Sequence, residues 1–360
     1  MNASSKSSSY LHQQITESLR EDITSGQIPV GSRLPTMKAL AKDWGTSYFT
    51  IWRALAPLVR EGLLESRGKL GMNVVGPKPT LTCVGIYYGL DVWRISETAF
   101  YRSIHQELCR QIEGAGITVK QLVEARPTGQ QNVPQAEVAK AVEDRSIQGL
   151  IVPITNEAEM SWISQLPVPK AYLGNAPVPW GVTLDRDRGL QTALLQLHQE
   201  GVRDVGLITG FSSHHKVPHP LALFFQNFVD LLEELGMRTR NHWCAAPERY
   251  LKPHENEQFG YESFQKIWNT NPRQRPDGLI CVSDVVGRGL FSALLEKQIS
   301  VPERLKVVQY KNKHTGFFTP LKARWIEWDE AAVASALFRQ LQGQIQGEEP
   351  QKILISPCLE

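Results

Sequence analysis

Apolar residues in the first quarter of the chain recur at the spacing of amphipathic helices. Between residues 10 and 25 they lie four apart, which predicts one helix with a single buried face: Leu11, Ile15, Leu19 and Ile23. Thr36 and Ser47 are residue types that favour helix N-caps, and an apolar stripe follows each of them. The pattern therefore predicts a second helix over 36–43 and a third over 47–62.

Two short apolar segments follow the third helix. Residues 63–66 and 72–75 are predicted to be strands, and the glycine-containing, basic segment between them suits the turn of a hairpin. The order helix, helix, turn, helix and hairpin is that of a winged helix-turn-helix, an α+β domain.

Beyond residue 80 the hydrophobic pattern changes. Short apolar runs predict buried strands at 83–87, 149–153, 170–173, 182–184, 205–208, 278–282 and 306–309. Amphipathic stretches between them predict helices at 101–115, 189–200, 223–235, 261–268 and 285–297. Because strands and helices alternate, we expect parallel sheets covered on both faces. About 280 residues of this pattern exceed what one core holds, so two α/β lobes are predicted.

These patterns divide the chain into four parts. Residues 1–9 are Ser-rich and are predicted to form a disordered tail. Residues 76–80 contain two prolines and are predicted to form an extended linker. The helix-turn-helix head covers 10–75, and the two-lobed α/β body covers 81–360. The predicted first lobe comprises 81–175 and 308–323, and the second lobe 176–307 and 324–360.

Composition and charge narrow the possible functions. With 41% hydrophobic and 21% charged residues, the chain has the composition of a folded globular protein. Residues 1–75 hold nine Lys/Arg and six Asp/Glu, a net charge of +3, whereas the remainder holds 30 basic and 31 acidic residues, a net charge of −1. A basic head on a near-neutral body favours contact with nucleic acid.

Other classes of function lack their sequence features. No apolar run approaches the ~18 residues that span a bilayer, so no membrane contact is expected. The five cysteines contain no CxxC pair, so neither a disulfide framework nor a zinc site is indicated. This cysteine usage favours the reducing cytoplasm. No dinucleotide fingerprint, Walker motif or nucleophile elbow occurs. We therefore expect no cofactor and no metal, and we interpret His214, His215 and His219 as part of a loop.

The head resembles the GntR family of bacterial regulators. The resemblance covers about residues 10–75 and lies in a loop with the family's P-x-G-x-x-L-P pattern, a recognition helix and an E-G-L turn into the wing. These are the segments Ile28–Pro35, Ile51–Leu55 and Glu61–Leu63. The resemblance implies binding to a double-stranded DNA operator.

A recognition helix presents its N-terminal residues to base edges in the major groove. The residues predicted to do so are Ser47, Tyr48, Phe49, Thr50, Trp52 and Arg53. By resemblance, Tyr48 and Trp52 stand where the family usually has arginines, which favours apolar contact with thymine methyl groups over guanine readout. The alternative is that these aromatic residues pack within the domain. Further predicted DNA contacts, to phosphates or from the wing, are Arg33, Lys38, Arg67, Gly68 and Lys69.

The body resembles the ligand-binding half of LacI-type regulators and periplasmic sugar-binding proteins. Over about residues 81–345 their motifs recur in order, among them Val84–Tyr87, Gly149–Val152, Val182–Asp185 and Pro276–Asp284. The resemblance implies a homodimer whose small-molecule ligand lies between the two lobes. A sugar is the expected ligand.

The resemblance also implies which residues bind the ligand. Phe100 and Tyr101 match the aromatic pair beside the ligand, and Asp284 matches a carboxylate that accepts sugar hydroxyls. Phe224 stands where the family often has an arginine, so we expect the site to lack that charged donor. The complete predicted set is Phe100, Tyr101, Asp284, Asp185, Phe224, Tyr88 and Trp93. Two of the acidic residues have structural alternatives: Asp185 could have a structural role, and Asp284 could cap a helix. The alternative for Tyr88 and Trp93 is packing in the core.

Together these features predict a cytoplasmic, ligand-responsive transcription regulator that acts as a repressor. Two other functions stay open, because α/β bodies support many chemistries. One is an α/β enzyme tethered to a DNA-binding head. The other is an interaction scaffold whose body senses no ligand.

Overall fold

The chain folds into two compact units, Met1–Leu81 and Thr82–Glu360. The computed structural model describes residues 4–66, 71–75, 81–93, 99–155, 157–174, 179–210, 220–249, 251–314 and 317–360. We refer to the first unit as the head and to the second as the body.

The head contains three helices and a two-stranded antiparallel sheet, as predicted. Its elements are α1 Ser4–Thr24, α2 Met37–Asp43, α3 Tyr48–Arg60, β1 Leu64–Ser66 and β2 Met72–Val74. The predicted stripe of α1 is buried with Ile51, Leu55 and Leu58 of α3 in one core. The prediction of a disordered tail is wrong for residues 4–9, because α1 begins at Ser4. The helix extends into this segment because each residue added to an existing helix gains a hydrogen bond.

The loop before α2 is attached to the wing, which is the hairpin of β1 and β2. The Leu34 amide donates to the Met72 carbonyl at 2.9 Å, and the Gly31 amide donates to the Val74 carbonyl at 2.8 Å. Leu34 is buried in the head core. These bonds fix the position of the wing relative to the start of the helix-turn-helix.

The first lobe of the body is a six-stranded sheet in the order β13-β7-β6-β5-β3-β4, with parallel pairs throughout. The strands are β3 Cys83–Tyr88, β4 Thr118–Val123, β5 Gly149–Ile154, β6 Lys170–Leu173, β7 Gly181–Leu184 and β13 Ile353–Ile355. Its helices are α4 Ala99–Gly114, α5 Ala136–Glu143, α6 Glu157–Ile163 and α11 Glu330–Gln346. The predicted strand-helix alternation is confirmed here.

The second lobe is a six-stranded sheet in the order β14-β12-β11-β10-β8-β9, in which only β14 runs antiparallel to its neighbour. The strands are β8 Val205–Ile208, β9 Cys244–Ala245, β10 Gly278–Cys281, β11 Lys306–Asn312, β12 Arg324–Trp328 and β14 Cys358–Leu359. The helices are α7 Arg186–Gln199, α8 Pro220–Glu234, α9 Asn256–Trp268 and α10 Asp284–Glu296. They enclose two apolar cores, one against α7 and α8 and one against α9 and α10.

The predicted lobe boundaries are wrong in three places. Strand β7 was predicted to lie in the second lobe but belongs to the first. Residues 308–323 were predicted to lie in the first lobe, but β11, which contains residues 308–312, belongs to the second. Helix α11 and strand β13 return to the first lobe, where Ile353 of β13 pairs with Val182 of β7. The chain therefore passes between the lobes after β7, after β12 and after β13. Local periodicity cannot reveal which sheet a late strand joins, because that choice depends on distant partners.

Candidate functional sites

The start of α3 is held by a side-chain cap. The Ser47 hydroxyl accepts a hydrogen bond from the Thr50 amide at 3.2 Å and lies 2.9 Å from the Thr50 hydroxyl. Ser47 is exposed, but Thr50 is buried. The prediction that Thr50 faces DNA is therefore wrong: its side chain completes the cap, and it has no surface to offer to a base.

The aromatic residues of α3 lie on the surface of the head. Tyr48, Phe49 and Trp52 are 52%, 63% and 51% exposed, which contradicts the alternative that they pack within the domain. The Phe49 and Trp52 rings stack with centroids 5.7 Å apart and an angle of 21° between their planes. Arg53 is also exposed. One face of α3 thus presents two stacked rings, a phenol and a cation.

The remaining predicted DNA contacts lie before α3 or in the wing. Arg33 and Lys38 are exposed. A Cβ added at Gly71 would lie 3.2 Å from the Arg33 guanidinium, which places that cation beside the wing. Arg67, Gly68 and Lys69 lie outside the residues that the structure describes.

A cleft of about 330 Å³ opens in the body where the two lobes meet. Residues of α4 line it from the first lobe, and the carboxyl ends of β10, β11 and β12 line it from the second. The first residues of α7, α9 and α10 lie on the same cleft: Arg186, Asn256 and Asp284. Ligands of open α/β sheets bind at such carboxyl ends.

Aromatic side chains form much of the cleft wall. Phe100 and Tyr101 contribute from α4, and Phe224 contributes from α8. The structure therefore brings these three predicted residues together although more than 120 positions separate the first and last in sequence. Trp328, at the end of β12, adds a fourth aromatic that the sequence analysis missed. Such walls suit the apolar faces of a small ligand.

Asp284 lies in the cleft with its carboxylate partly satisfied. One oxygen accepts from the Val285 amide at 3.0 Å, and the other accepts from the Asn312 side-chain amide at 3.1 Å. Burial raises the pKa of this carboxyl. The helix cap is Ser283, whose hydroxyl accepts from the Val286 amide at 3.4 Å, so the alternative that Asp284 is the N-cap of α10 is wrong.

Three predicted ligand residues do not line the cleft among the residues described. Asp185 caps α7 by accepting from the Arg188 amide at 3.0 Å, which is the structural role held open for it. Tyr88 is fully buried with its hydroxyl 3.1 Å from Nδ1 of His105. Trp93 packs edge-on against Tyr88 with ring centroids 5.0 Å apart. The ligand predictions for these residues are wrong, because Asp185 caps a helix of the second lobe and Tyr88 and Trp93 pack within the first lobe.

Arg186 is a charged residue of the cleft that the sequence analysis missed. It lines the cleft as the first residue of α7, directly after the first passage between the lobes. Burial lowers its pKa, although a guanidinium stays protonated in proteins. The cleft therefore has a charged donor at Arg186, although Phe224 stands where the resemblance to LacI-type regulators places an arginine. The missed sequence feature is the arginine next to the Asp185 cap.

Within the described ranges, no group of three or more His, Cys, Asp and Glu side chains could hold a metal ion. The histidines 214, 215 and 219 lie outside those ranges. None of the helices in the described part of the chain is both long and apolar enough to cross a membrane.

Each unit matches a known family model over part of the chain. The model of the gntR family of bacterial regulatory proteins matches residues 11–74. The model of the periplasmic binding protein-like domain matches residues 194–360.

Known relatives resemble part of the chain. The HTH-type transcriptional repressor PurR of Glaesserella parasuis serovar 5 (strain SH0165) is 30% identical over 129 residues, which are 36% of this chain and 34% of the relative. The chain thus spans about a third of the length of the curated relatives it matches.

Solved structures share the fold of the body. A LacI-family regulatory protein from Chloroflexus aggregans superposes with a TM-score of 0.63 at 14% identity, over 77% of this chain and 96% of that one. The trehalose repressor from Escherichia coli superposes with a TM-score of 0.57 at 19% identity, over 78% of this chain and all of the other. The chain therefore joins a winged helix-turn-helix that matches the gntR family model to a two-lobed body that has the fold of LacI-family regulators.

Proposed function

We propose that this protein is a cytoplasmic, ligand-responsive transcription regulator. It binds an operator in duplex DNA through the head, as a homodimer, and represses transcription. A small molecule of the sugar class binds in the cleft of the body and changes operator affinity. The observation that carries the proposal is one chain holding both an exposed recognition-helix face and a cleft with aromatic walls and partly buried charges. Coupling between two such sites is reciprocal, so effector binding and operator binding shift each other.

DNA binding should depend steeply on salt. We expect the full chain to select a two-fold symmetric site from a library of random duplexes. The logarithm of its association constant for that site should fall linearly with the logarithm of the salt concentration. Lys38→Gln removes one exposed cation and should lower that slope by about one unit. Lys266→Gln, an exposed lysine of α9, is the matched control and should leave the slope unchanged. Fluorescence anisotropy at several salt concentrations measures the slope, and selection of no site by the library would contradict the proposal.

Asp284→Asn tests the cleft. The change keeps the side-chain shape but removes the charge and one acceptor, so effector affinity should fall about 10- to 100-fold, as for a hydrogen bond to a charged group. Stability and effector-free operator binding should stay the same, because Ser283 caps α10. Asp230→Asn, an exposed carboxylate of α8, is the control. Calorimetric titration with an effector found by thermal-shift screening measures the affinities. Equal affinity in the Asp284 variant would remove that residue from the site.

The same measurements separate the other functions. Selected DNA whose affinity responds to no small molecule would favour a scaffold. Chemical turnover of a bound compound would favour an enzyme.

A further inference from the structure

The effector cleft carries opposite charges on different elements, and this arrangement bears on the chemical class of the effector. The inference rests on the proposed sensing function. Arg186 belongs to the start of α7, whereas Asp284 belongs to the start of α10. Both residues line the same cleft of about 330 Å³. That volume is near the lower end of ligand pockets, which span roughly 300–1,000 Å³, and it suits a compound with one ring.

The Arg186 end of the cleft favours an anion. Arg186 is partly buried, and a guanidinium keeps its charge in such a site. Its planar fork of donors matches the oxygens of a carboxylate or phosphate. The N-termini of α7, α9 and α10, each 13 residues or longer, lie on the same cleft and add positive partial charge. The titratable groups that act on Arg186 are Tyr101 and Asp187. Tyr101 is neutral at physiological pH, and burial raises its pKa further. Asp187 is a carboxylate of the first turn of α7, and its charge acts on Arg186 from the same helix.

The Asp284 end favours a hydrogen-bond donor. Its carboxylate accepts from Asn312 and from the Val285 amide, and carboxylate oxygens have further lone pairs for a ligand hydroxyl. Arg288 is the cation that acts on it from its own helix.

Aromatic residues give the cleft surfaces for a ring. Tyr310 lines the cleft from β11, but its hydroxyl is buried beside Gly189 of α7 and so is not one of the groups that we assign to the ligand. With Phe100 and Trp328 on the walls, the cleft offers surfaces for the ring of a ligand and polar groups for its substituents.

We propose that the effector is an acidic sugar derivative: a hydroxylated ring or short chain that carries one carboxylate or phosphate. Arg186 binds the anionic group, and Asp284 with Asn312 binds hydroxyls. Arg186 thereby supplies, from the start of α7, the charged donor that the resemblance to LacI-type regulators places at the position of Phe224. Neutral sugars lack an anionic group for the planar fork of Arg186, so they bind more weakly.

The test uses matched pairs of compounds on the full-length protein. Glucuronate is compared with glucose, and ribose 5-phosphate with ribose, by thermal shift and then by calorimetry. The first pair tests a carboxylate and the second a phosphate. We expect at least one acid to raise the melting temperature and to bind at least 10-fold more tightly than its neutral parent.

Variants of Arg186 assign the effect to this residue. Arg186→Gln should weaken binding of the acid about 10- to 100-fold. Arg186→Lys keeps the charge but loses the planar fork, so its affinity for the acid should lie between those of Arg186→Gln and wild type. Arg188→Gln is the matched control, because Arg188 lies in the same turn of α7 but is exposed. If Arg186→Gln fails to fold, the lysine variant and the wild-type comparison still decide the question.

The outcomes separate this inference from the proposed function. Binding of a neutral parent as tightly as its acid overturns the acidic class and leaves sensing intact. Equal acid binding by wild type and Arg186→Gln overturns the role of Arg186. Binding of no compound from either pair overturns the acidic class as well, while operator selection by the head tests the regulatory function separately.

Discussion

Replacing Trp52 with alanine is expected to weaken operator binding by about 10- to 100-fold, and Phe49→Ala should have a similar effect. Both rings are exposed on the first turns of α3 and stack on each other. Apolar side chains at this position of a recognition helix contact thymine methyl groups, and a good base contact contributes roughly 1–3 kcal/mol to discrimination. Because the rings lie outside the head core, the free energy of unfolding should change little.

The matched control is Phe318→Ala, since Phe318 is an exposed phenylalanine of the body, 92% accessible. Anisotropy titration with the selected duplex measures both variants. A second measurement replaces thymines of the selected site by deoxyuridine one at a time, which removes only the methyl group. We expect deoxyuridine at one or more positions of each half-site to lower the affinity of the wild-type protein for the duplex. The same replacement should leave the affinity of Trp52→Ala or Phe49→Ala unchanged. Uniform tolerance of deoxyuridine would contradict methyl readout by these rings.

Gly289→Ala is expected to destabilise the body by about 3 kcal/mol or more, the upper range for overpacking a close contact. Helices α9 and α10 cross so closely that a Cβ at Gly289 would lie 1.7 Å from the Glu257 carbonyl oxygen and 2.8 Å from the Tyr261 nitrogen. Backbone atoms cannot rotate away as a side chain can, so the helices must separate. Gly260 faces the same crossing, where an added Cβ would lie 1.9 Å from the Val286 carbonyl oxygen.

The control for this substitution is Gly114→Ala in α4, where an added Cβ meets no atom within 4 Å. Alanine there should leave stability unchanged or raise it by up to about 1 kcal/mol, because alanine favours helix more than glycine does. Urea unfolding of the full-length variants measures both effects. Effector affinity should also fall in Gly289→Ala, since the first residues of α9 and α10 line the cleft. A Gly289 variant as stable as wild type would show that the two helices part without cost.

Much of the architecture could be read from local patterns. The apolar stripe of α1 is buried as its four-residue spacing predicts, and strands β5, β6 and β8 lie within one residue of their predicted bounds. Cap residues were also informative: Thr36 and Ser47 begin α2 and α3 as their side-chain chemistry predicts. These features are predictable because burial of one face and capping of one turn depend on neighbouring residues.

The arrangement of the lobes and the composition of the cleft depend on distant residues. The sequence alone determined the helix-turn-helix, the strand-helix alternation and the positions of Phe100, Tyr101 and Asp284 at the ends of elements. Only the tertiary structure decided that α11 and β13 return to the first lobe, that Thr50 is buried and that Arg186 reaches the cleft. Sheet partners and cleft neighbours lie tens to hundreds of positions apart, and local periodicity contains no information about which of several compatible partners packs best.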